Sequence, residues 1–287
     1  MTPTESQIGD LSQQDDCARS LLDMLSRLIV YRAFVLLEFV KKTKRSRLST
    51  LKLVSRNLQG LRFVTLSRPQ VPYGDPPTME LIDWVTKLYC FSVLCHFRAL
   101  LKSLVLLTEA KHAPAVFIIA RSLYEIGAHS YYVQKHIKQY RQAKNAGQAW
   151  KFMESVNMGS LYMNQKSATA SPSRPFPEPR DIGKIIRCFD EWPQNKRPGH
   201  ASETYSYLSE FAHPNMAAFE HYYEMASTGD NIFVRFINPN VVVKEPLGNV
   251  TIAVAAMLYN VSELLDLLGE NALAEKLNHS LNILIRS

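Results

Sequence analysis

Two long apolar segments joined by a very short link constrain the fold of this chain most strongly. Residues 78–109 and 113–140 carry apolar side chains at spacings of three and four, the period of a helix with a buried face. Thr78 is a suitable N-cap for the first segment. Because only a short link around Lys111 and His112 separates the two segments, we predict an antiparallel helical hairpin.

The same helical period recurs in other parts of the chain. Residues 14–40 and 247–268 repeat it, so these segments and the hairpin would supply the core, and 141–165 predicts a further helix. Residues 232–236 and 241–243 are β-like and flank turn residues, which favours a small β-hairpin. The predicted fold class is therefore all-α: a bundle of long antiparallel helices with a small β-hairpin insertion.

The composition is that of an ordinary globular protein, with 46% hydrophobic and 21% charged residues. Residues 1–13 are polar and predict a flexible tail. Residues 14–287 show no break strong enough to divide them, so we predict one domain there. A segment rich in Pro and Ser, at about 167–180, predicts a mobile surface loop within it.

Charge and cysteine content restrict the environment more than the function. The net charge of +7 is compatible with nucleic acid, phosphate ligands or anionic membranes as partners. The four cysteines form no Cys-x-x-Cys pair and suit a reducing cytosol. The N-terminal residues lack the pattern of a signal peptide, and polar residues interrupt the apolar runs. We therefore expect a cytoplasmic protein without a membrane span.

Nine cations and no acid occur among the 28 residues from 41 to 68. Such a segment could follow a phosphate backbone, and we take Lys44, Arg45 and Arg47 as its candidate binding residues. Anionic lipid, an acidic patch on a partner and a solubilising face remain open as alternatives. Aromatic residues are sparse there, which argues against base stacking on this segment.

A charged pair interrupts the apolar segment 113–140. Arg121 and Glu125 are four residues apart and share one helix face, and His129 extends that face by another turn. Burial of two charges is expensive even when they are paired, and the order Arg before Glu is the weaker one on a helix surface. The pair is either a structural ion pair between helices or part of a ligand or catalytic site.

A second candidate is His213, at the end of the helix predicted for 201–212 and directly before Pro214. There an imidazole could act as a general acid or base, or contact a phosphate. The alternative is a histidine that pairs with the last carbonyl groups of its own helix.

These two segments carry a resemblance to a known family. Arg121-Ser122-Leu123-Tyr124-Glu125, followed by Ser209 to His213-Pro214, resembles a family of uncharacterised bacterial all-helical proteins with Arg-Ser-x-x-Glu and Ser-x-x-x-His-Pro motifs. That family is distantly similar to the HEPN (higher eukaryotes and prokaryotes nucleotide-binding) superfamily, which includes ribonucleases and antiphage defence effectors. The resemblance implies that Arg121, Glu125 and His213 converge between helices. The Arg-to-His spacing of the ribonuclease members does not occur here.

The first functional hypothesis is a nucleotide- or RNA-handling defence or stress protein. Arg121 would contact a phosphate, Glu125 would orient it, and His213 would act as acid, base or donor, with Tyr207 and Asn215 as pocket partners. The alternatives are a non-enzymatic helical interaction module, and a metal-dependent enzyme around Glu210 and His213, which form a Glu-x-x-His pair. No metal site or cofactor is otherwise expected, the partner would be RNA or a phosphate-bearing ligand, and a homodimer stays open.

Overall fold

The computed structural model describes residues 47–61, 69, 76–158, 181–193, 199–213, 223–228, 231–237, 244 and 246–286. All of these except the last two belong to one compact unit, Arg45–Leu284. The predicted tail 1–13, the helix 14–40 and the loop 167–180 lie outside the described residues. The prediction of one domain over 14–287 therefore stays a prediction.

Eight helices and two strands occur in the described part of the chain. They are α1 (Arg47–Gln59), α2 (Met79–Glu109), α3 (Ala113–Gln142), α4 (Ala146–Met158), α5 (Ile182–Phe189), α6 (His200–Ala212), β1 (Tyr223–Thr228), β2 (Asn231–Phe236), α7 (Leu247–Leu267) and α8 (Asn271–Arg286). This secondary-structure content confirms the predicted all-α class.

The predicted hairpin of long helices is present as α2 and α3. The Thr78 hydroxyl accepts a hydrogen bond from the backbone N–H of Leu81 at 3.3 Å and so caps α2. Between the helices Lys111 adopts a left-handed backbone with φ of 57°, which lets the chain reverse within a short link. A ring nitrogen of His112 then accepts from the N–H of Ala115 at 3.4 Å and caps α3.

Helix α3 is the central element of the compact unit, because it packs against α2, α4, α5, α6 and α7. Many of its large apolar side chains are fully buried, among them Phe117, Leu123, Tyr124 and Val133. A helix surrounded in this way has little surface on which to place charged side chains. Its charged residues are therefore confined to the positions that other helices leave open.

The contact between α3 and α7 is close enough to exclude a side chain. A Cβ atom built on Gly127 would lie 2.8 Å from the carbonyl oxygen of Ala253 and 3.0 Å from its Cα. Gly127 and Ala253 are both buried. Small residues at both positions are therefore what lets the two backbones meet.

The helix predicted for 141–165 begins later, at Ala146, and residues 159–165 lie outside the described residues. Residues 141 and 142 complete α3, and Lys144 adopts a left-handed φ of 51°, which ends that helix. The Asn145 side chain then accepts from the N–H of Gln148 at 3.0 Å and starts α4. Described residues end α4 at Met158.

The β-structure lies at a different place from the one predicted. The predicted strand 232–236 matches β2, but β2 pairs in antiparallel register with β1, which precedes it. Residues 223–225, which show no strand pattern that we used, are therefore part of β1. The predicted partner 241–243 lies outside the described residues. Gly229-Asp230, a favoured two-residue hairpin link, was the missed signal in the sequence.

Two described helices, α2 and α7, are long and apolar enough to cross a membrane by length and composition. Core helices of soluble proteins meet the same criterion, and 67% of the apolar window in α7 is buried inside the protein. The corresponding share in α2 is 39%. This is weak evidence for a membrane span, and the expectation of none stays a prediction.

We predict that Gly127→Ala destabilises the protein, because the added methyl group would collide with the backbone of Ala253. Overpacking of this kind costs about 1–3 kcal/mol. Urea unfolding followed by circular dichroism would measure the loss.

The matched control is Gly147→Ala, at an exposed helical glycine whose added Cβ would meet no atom closer than 3.9 Å. Helix propensity should make this change neutral or stabilising by up to about 1 kcal/mol. Equal unfolding midpoints for the two variants would show that the α3–α7 contact is loose enough to absorb a methyl group.

Candidate functional site

The candidate site lies where α6 crosses α3. Asp190, directly after α5, fixes the start of α6: its carboxylate accepts from the N–H of Ala201 at 2.7 Å and from the hydroxyl of Ser202 at 2.8 Å. A carboxylate at this end of a helix also complements the helix dipole. Gly199 supplies the left-handed backbone, with φ of 78°, that precedes the helix. The position of α6 along α3 is thereby anchored at its N-terminal end.

Four side chains from these two helices form a hydrogen-bonded cluster, which we call the Arg121 cluster: Arg121, Glu125, Tyr205 and His213. Arg121 Nε donates to Glu125 Oε1 at 3.1 Å, and Nη2 donates to the Tyr205 hydroxyl at 3.0 Å. That hydroxyl donates in turn to Glu125 Oε1 at 3.0 Å. The third direction of the guanidinium, Nη1, lies 3.2 Å from His213 Nε2.

The last contact joins the two helices through their side chains. Because an arginine can only donate, it is a hydrogen bond in the tautomer that leaves His213 Nε2 as the acceptor. His213 is exposed and ends α6, where its own N–H still reaches the carbonyl oxygen of Glu210 at 3.4 Å.

The charge of the cluster is held at the boundary between core and solvent. The side chains of Arg121 and Glu125 are 28% and 32% exposed. Partial burial lowers the pKa of Arg121, but the Tyr205 hydrogen bond and the Glu125 charge outweigh this effect and raise it. The guanidinium also lies 5.4 Å from the centre of the Tyr205 ring. Arg121 is thus a permanently charged group held on two of its three sides.

The structure brings Arg121, Glu125 and His213 together, although Arg121 and His213 are 92 residues apart. Tyr205 belongs to the cluster, whereas the predicted pocket partner Tyr207 does not. Positions two apart on a helix do not share a face, so only one of these tyrosines can meet Arg121. The ring of Tyr207 instead packs on Phe117 and Phe211, at centroid distances of 6.0 and 4.7 Å.

His129 has a different partner from the one that its spacing suggested. Its Nδ1 lies 2.9 Å from the hydroxyl of Tyr89 on α2, so the ring is directed at α2. Burial lowers the pKa of His129 to about 4 and raises that of Tyr89. A neutral histidine that accepts from a tyrosine is a satisfied interior group.

The other predicted binding residues are apart from the cluster or outside the described residues. Arg47 is exposed at the start of α1, and its guanidinium lies against Gly248, where an added Cβ would meet Nη1 at 2.9 Å. Lys44, Arg45 and Asn215 are not among the described residues.

No group of three or more His, Cys, Asp or Glu side chains that could hold a metal occurs in the part of the chain that the structure describes. Glu210 is exposed on α6, three residues before His213. The alternative of a metal-dependent enzyme around Glu210 and His213 therefore gains no support from the described side chains.

Comparison with protein-family models, with curated proteins and with solved structures finds no match. The HEPN-like resemblance remains an expectation from the sequence. The function has to be argued from the geometry of the site, since an all-α fold by itself implies no activity.

We predict that stability falls as the pH drops from about 6.5 to about 4, because His129 must be neutral in the folded protein. In this pH window His129 binds a proton in the unfolded chain but not in the folded protein. Each decrease in pH therefore favours unfolding. The loss for this group approaches about 3 kcal/mol at the lower limit. Urea unfolding at a series of pH values would measure it, and His129→Leu should flatten the curve in this window.

The control is Tyr89→Phe, which keeps the histidine buried but removes its hydrogen-bond partner. It should cost about 1 kcal/mol at neutral pH and keep the pH dependence. An equally steep curve in His129→Leu and in the unaltered protein would assign the acid sensitivity to other groups.

Proposed function

We propose that the Arg121 cluster binds a phosphate group of a nucleotide or an RNA, with Arg121 as the anion-binding residue. The observation that carries this proposal is the arrangement of one guanidinium. Its Nε and Nη2 are occupied by Glu125 and Tyr205, while Nη1 faces an exposed histidine. A guanidinium held in a fixed orientation loses little side-chain entropy when it donates to an oxyanion.

The third direction of the guanidinium suits a ligand that brings its own negative charge. A phosphate oxygen beside Nη1 would accept a charge-assisted hydrogen bond from Arg121. The His213 ring lies 3.2 Å from the same nitrogen, so a ring N–H could donate to a second phosphate oxygen.

Glu125 and Tyr205 have a positioning role in this proposal. The Tyr205 hydroxyl accepts from the arginine and donates to the carboxylate, so one hydroxyl fixes both charged groups. A fixed guanidinium is what phosphate recognition by a planar, forked donor requires. Tyr205 on α6 therefore links the orientation of Arg121 to the position of the helix that carries His213.

We predict that Arg121→Gln weakens binding of AMP and of a short oligouridylate by roughly 10- to 100-fold, the effect of losing a charge-assisted hydrogen bond of about 1.5–3 kcal/mol. Isothermal titration calorimetry would measure both ligands.

The matched control is Arg187→Gln, the same substitution at an exposed arginine on α5. It should leave both affinities within about twofold of those of the unaltered protein. If Arg187→Gln weakens binding as much as Arg121→Gln does, the effect is one of net charge and the proposed site is wrong.

A second candidate function, a helical interaction module without catalysis, is favoured by the same hydrogen bonds. All four side chains of the cluster find partners within it, and these bonds join α6 to α3. On this alternative Tyr205→Phe and Arg121→Gln would both lower the free energy of unfolding, and neither AMP nor oligouridylate would bind the unaltered protein. Ligand binding by a Tyr205→Phe protein of reduced stability would favour the phosphate site.

A further inference from the structure

Helix α1 lies between two clefts, and one arginine borders both. A cleft of about 220 Å³ between α1 and α2 is lined by Lys52, Arg56 and Lys102, among other residues. A second cleft of about 480 Å³ between α1 and α8 is lined by Arg56, Lys276 and His279, among others. We call Lys52, Arg56, Lys102, Lys276 and His279 the basic crest.

The position of Arg56 follows from the periodicity of α1. Leu51, Val54 and Leu58 are at most 1% exposed and define the inner face of the helix. Arg56 is two residues from both Val54 and Leu58, so it lies about 200° around the helix from each of them, on the outer side. This placement explains why its side chain reaches the border of both clefts.

The positive charge of the crest is only partly compensated. Lys52 forms an ion pair with Glu109, and Glu275 lies at the second cleft. Arg56 and Lys102 are exposed, and no carboxylate among the described residues pairs with either of them. Lys52 and Arg56 are also four apart on one helix, an arrangement of like charges that destabilises a helix. An anionic ligand on the crest would relieve this repulsion.

We infer that the basic crest binds the phosphodiester backbone of a single-stranded nucleic acid that crosses α1. A small phosphate ligand confined to one cleft would leave the cations of the other cleft unused. A nucleic acid strand carries a phosphate on every nucleotide, so it can contact the cations of both clefts, with Arg56 between them. Lysine and arginine are the usual donors to such phosphates, which position a strand without reading its sequence.

The inference rests on the charges and shape of α1 and its neighbours, and it does not depend on the Arg121 cluster. Lys102 precedes the end of α2 by about as many residues as Arg121 follows the start of α3. At 1.5 Å per residue, both lie roughly 10–12 Å along their helices from the link between α2 and α3.

The test is fluorescence anisotropy of the full chain with labelled oligouridylate and oligodeoxyuridylate over a range of salt concentrations. We expect both chains to bind, with an affinity that falls as salt rises. Arg56→Gln should reduce the slope of log K against log salt by about 0.7, the effect of one lost contact to a single strand. Arg56→Glu combined with Lys102→Glu should weaken binding at least tenfold, with an unchanged circular dichroism spectrum since both residues are exposed.

The matched control is Lys184→Glu combined with Arg187→Glu, the same reversal of two exposed cations on α5. It should change the affinity for either oligonucleotide by less than about twofold. An equal loss in the control would overturn the inference, as would tighter binding to phosphatidylserine vesicles or polyglutamate than to either oligonucleotide.

AMP separates the two sites, because it carries a single phosphate. The crest variant should lose oligonucleotide binding and keep its affinity for AMP within about twofold, whereas Arg121→Gln should weaken both. Unchanged AMP binding in Arg121→Gln would contradict the Arg121 site and leave the crest in place, and lost AMP binding in the crest variant would contradict the crest as a separate site.

Discussion

The close contact of α3 with α7 is the constraint on which the rest of the compact unit depends. Gly127 and Ala253 bring two helix backbones so near that no side chain fits between them. This contact covers one side of α3, while α2, α4, α5 and α6 cover the others. A helix enclosed in this way can keep charged groups only at its margins. Arg121 and Glu125 stand at such a margin, facing α6, and both remain about one-third exposed.

The long helices could be predicted because their pattern is local. The helical period, the Thr78 cap and the short link determine α2 and α3 without knowledge of the remaining chain. The errors occurred where local signals compete. Residues 141–165 look helical throughout, yet Lys144 and Asn145 break the segment through backbone and capping geometry that apolar periodicity does not report. The strand β2 was recognised, but the choice of its partner is a non-local event, and the Gly229-Asp230 link that favours β1 was passed over.

In the candidate site, too, the contacts within one helix could be predicted and the contacts between helices could not. The pairing of Arg121 with Glu125 could be predicted from their spacing and from the apolar sequence around them. Charges in a largely buried helix are costly unless they are paired. The approach of His213 depends on how α6 crosses α3, and only the resemblance to a helical family implied it. Tyr205 could not be chosen over Tyr207 without knowing which face of α6 meets α3. The partner of His129 depends on packing in the same way, since Tyr89 comes from α2.

The charged features of this chain differ in how completely they are satisfied, and the functions that we propose for them differ accordingly. In the Arg121 cluster, Nε and Nη2 donate to Glu125 and Tyr205, so the guanidinium is oriented and its charge is balanced by Glu125. Such a group can discriminate between ligands by geometry, because a ligand has to fit a fixed donor. On the basic crest Arg56, Lys102 and Lys276 are exposed, and among the described residues only Lys52 has a carboxylate partner. Flexible, exposed cations of that kind attract a polyanion without selecting its shape.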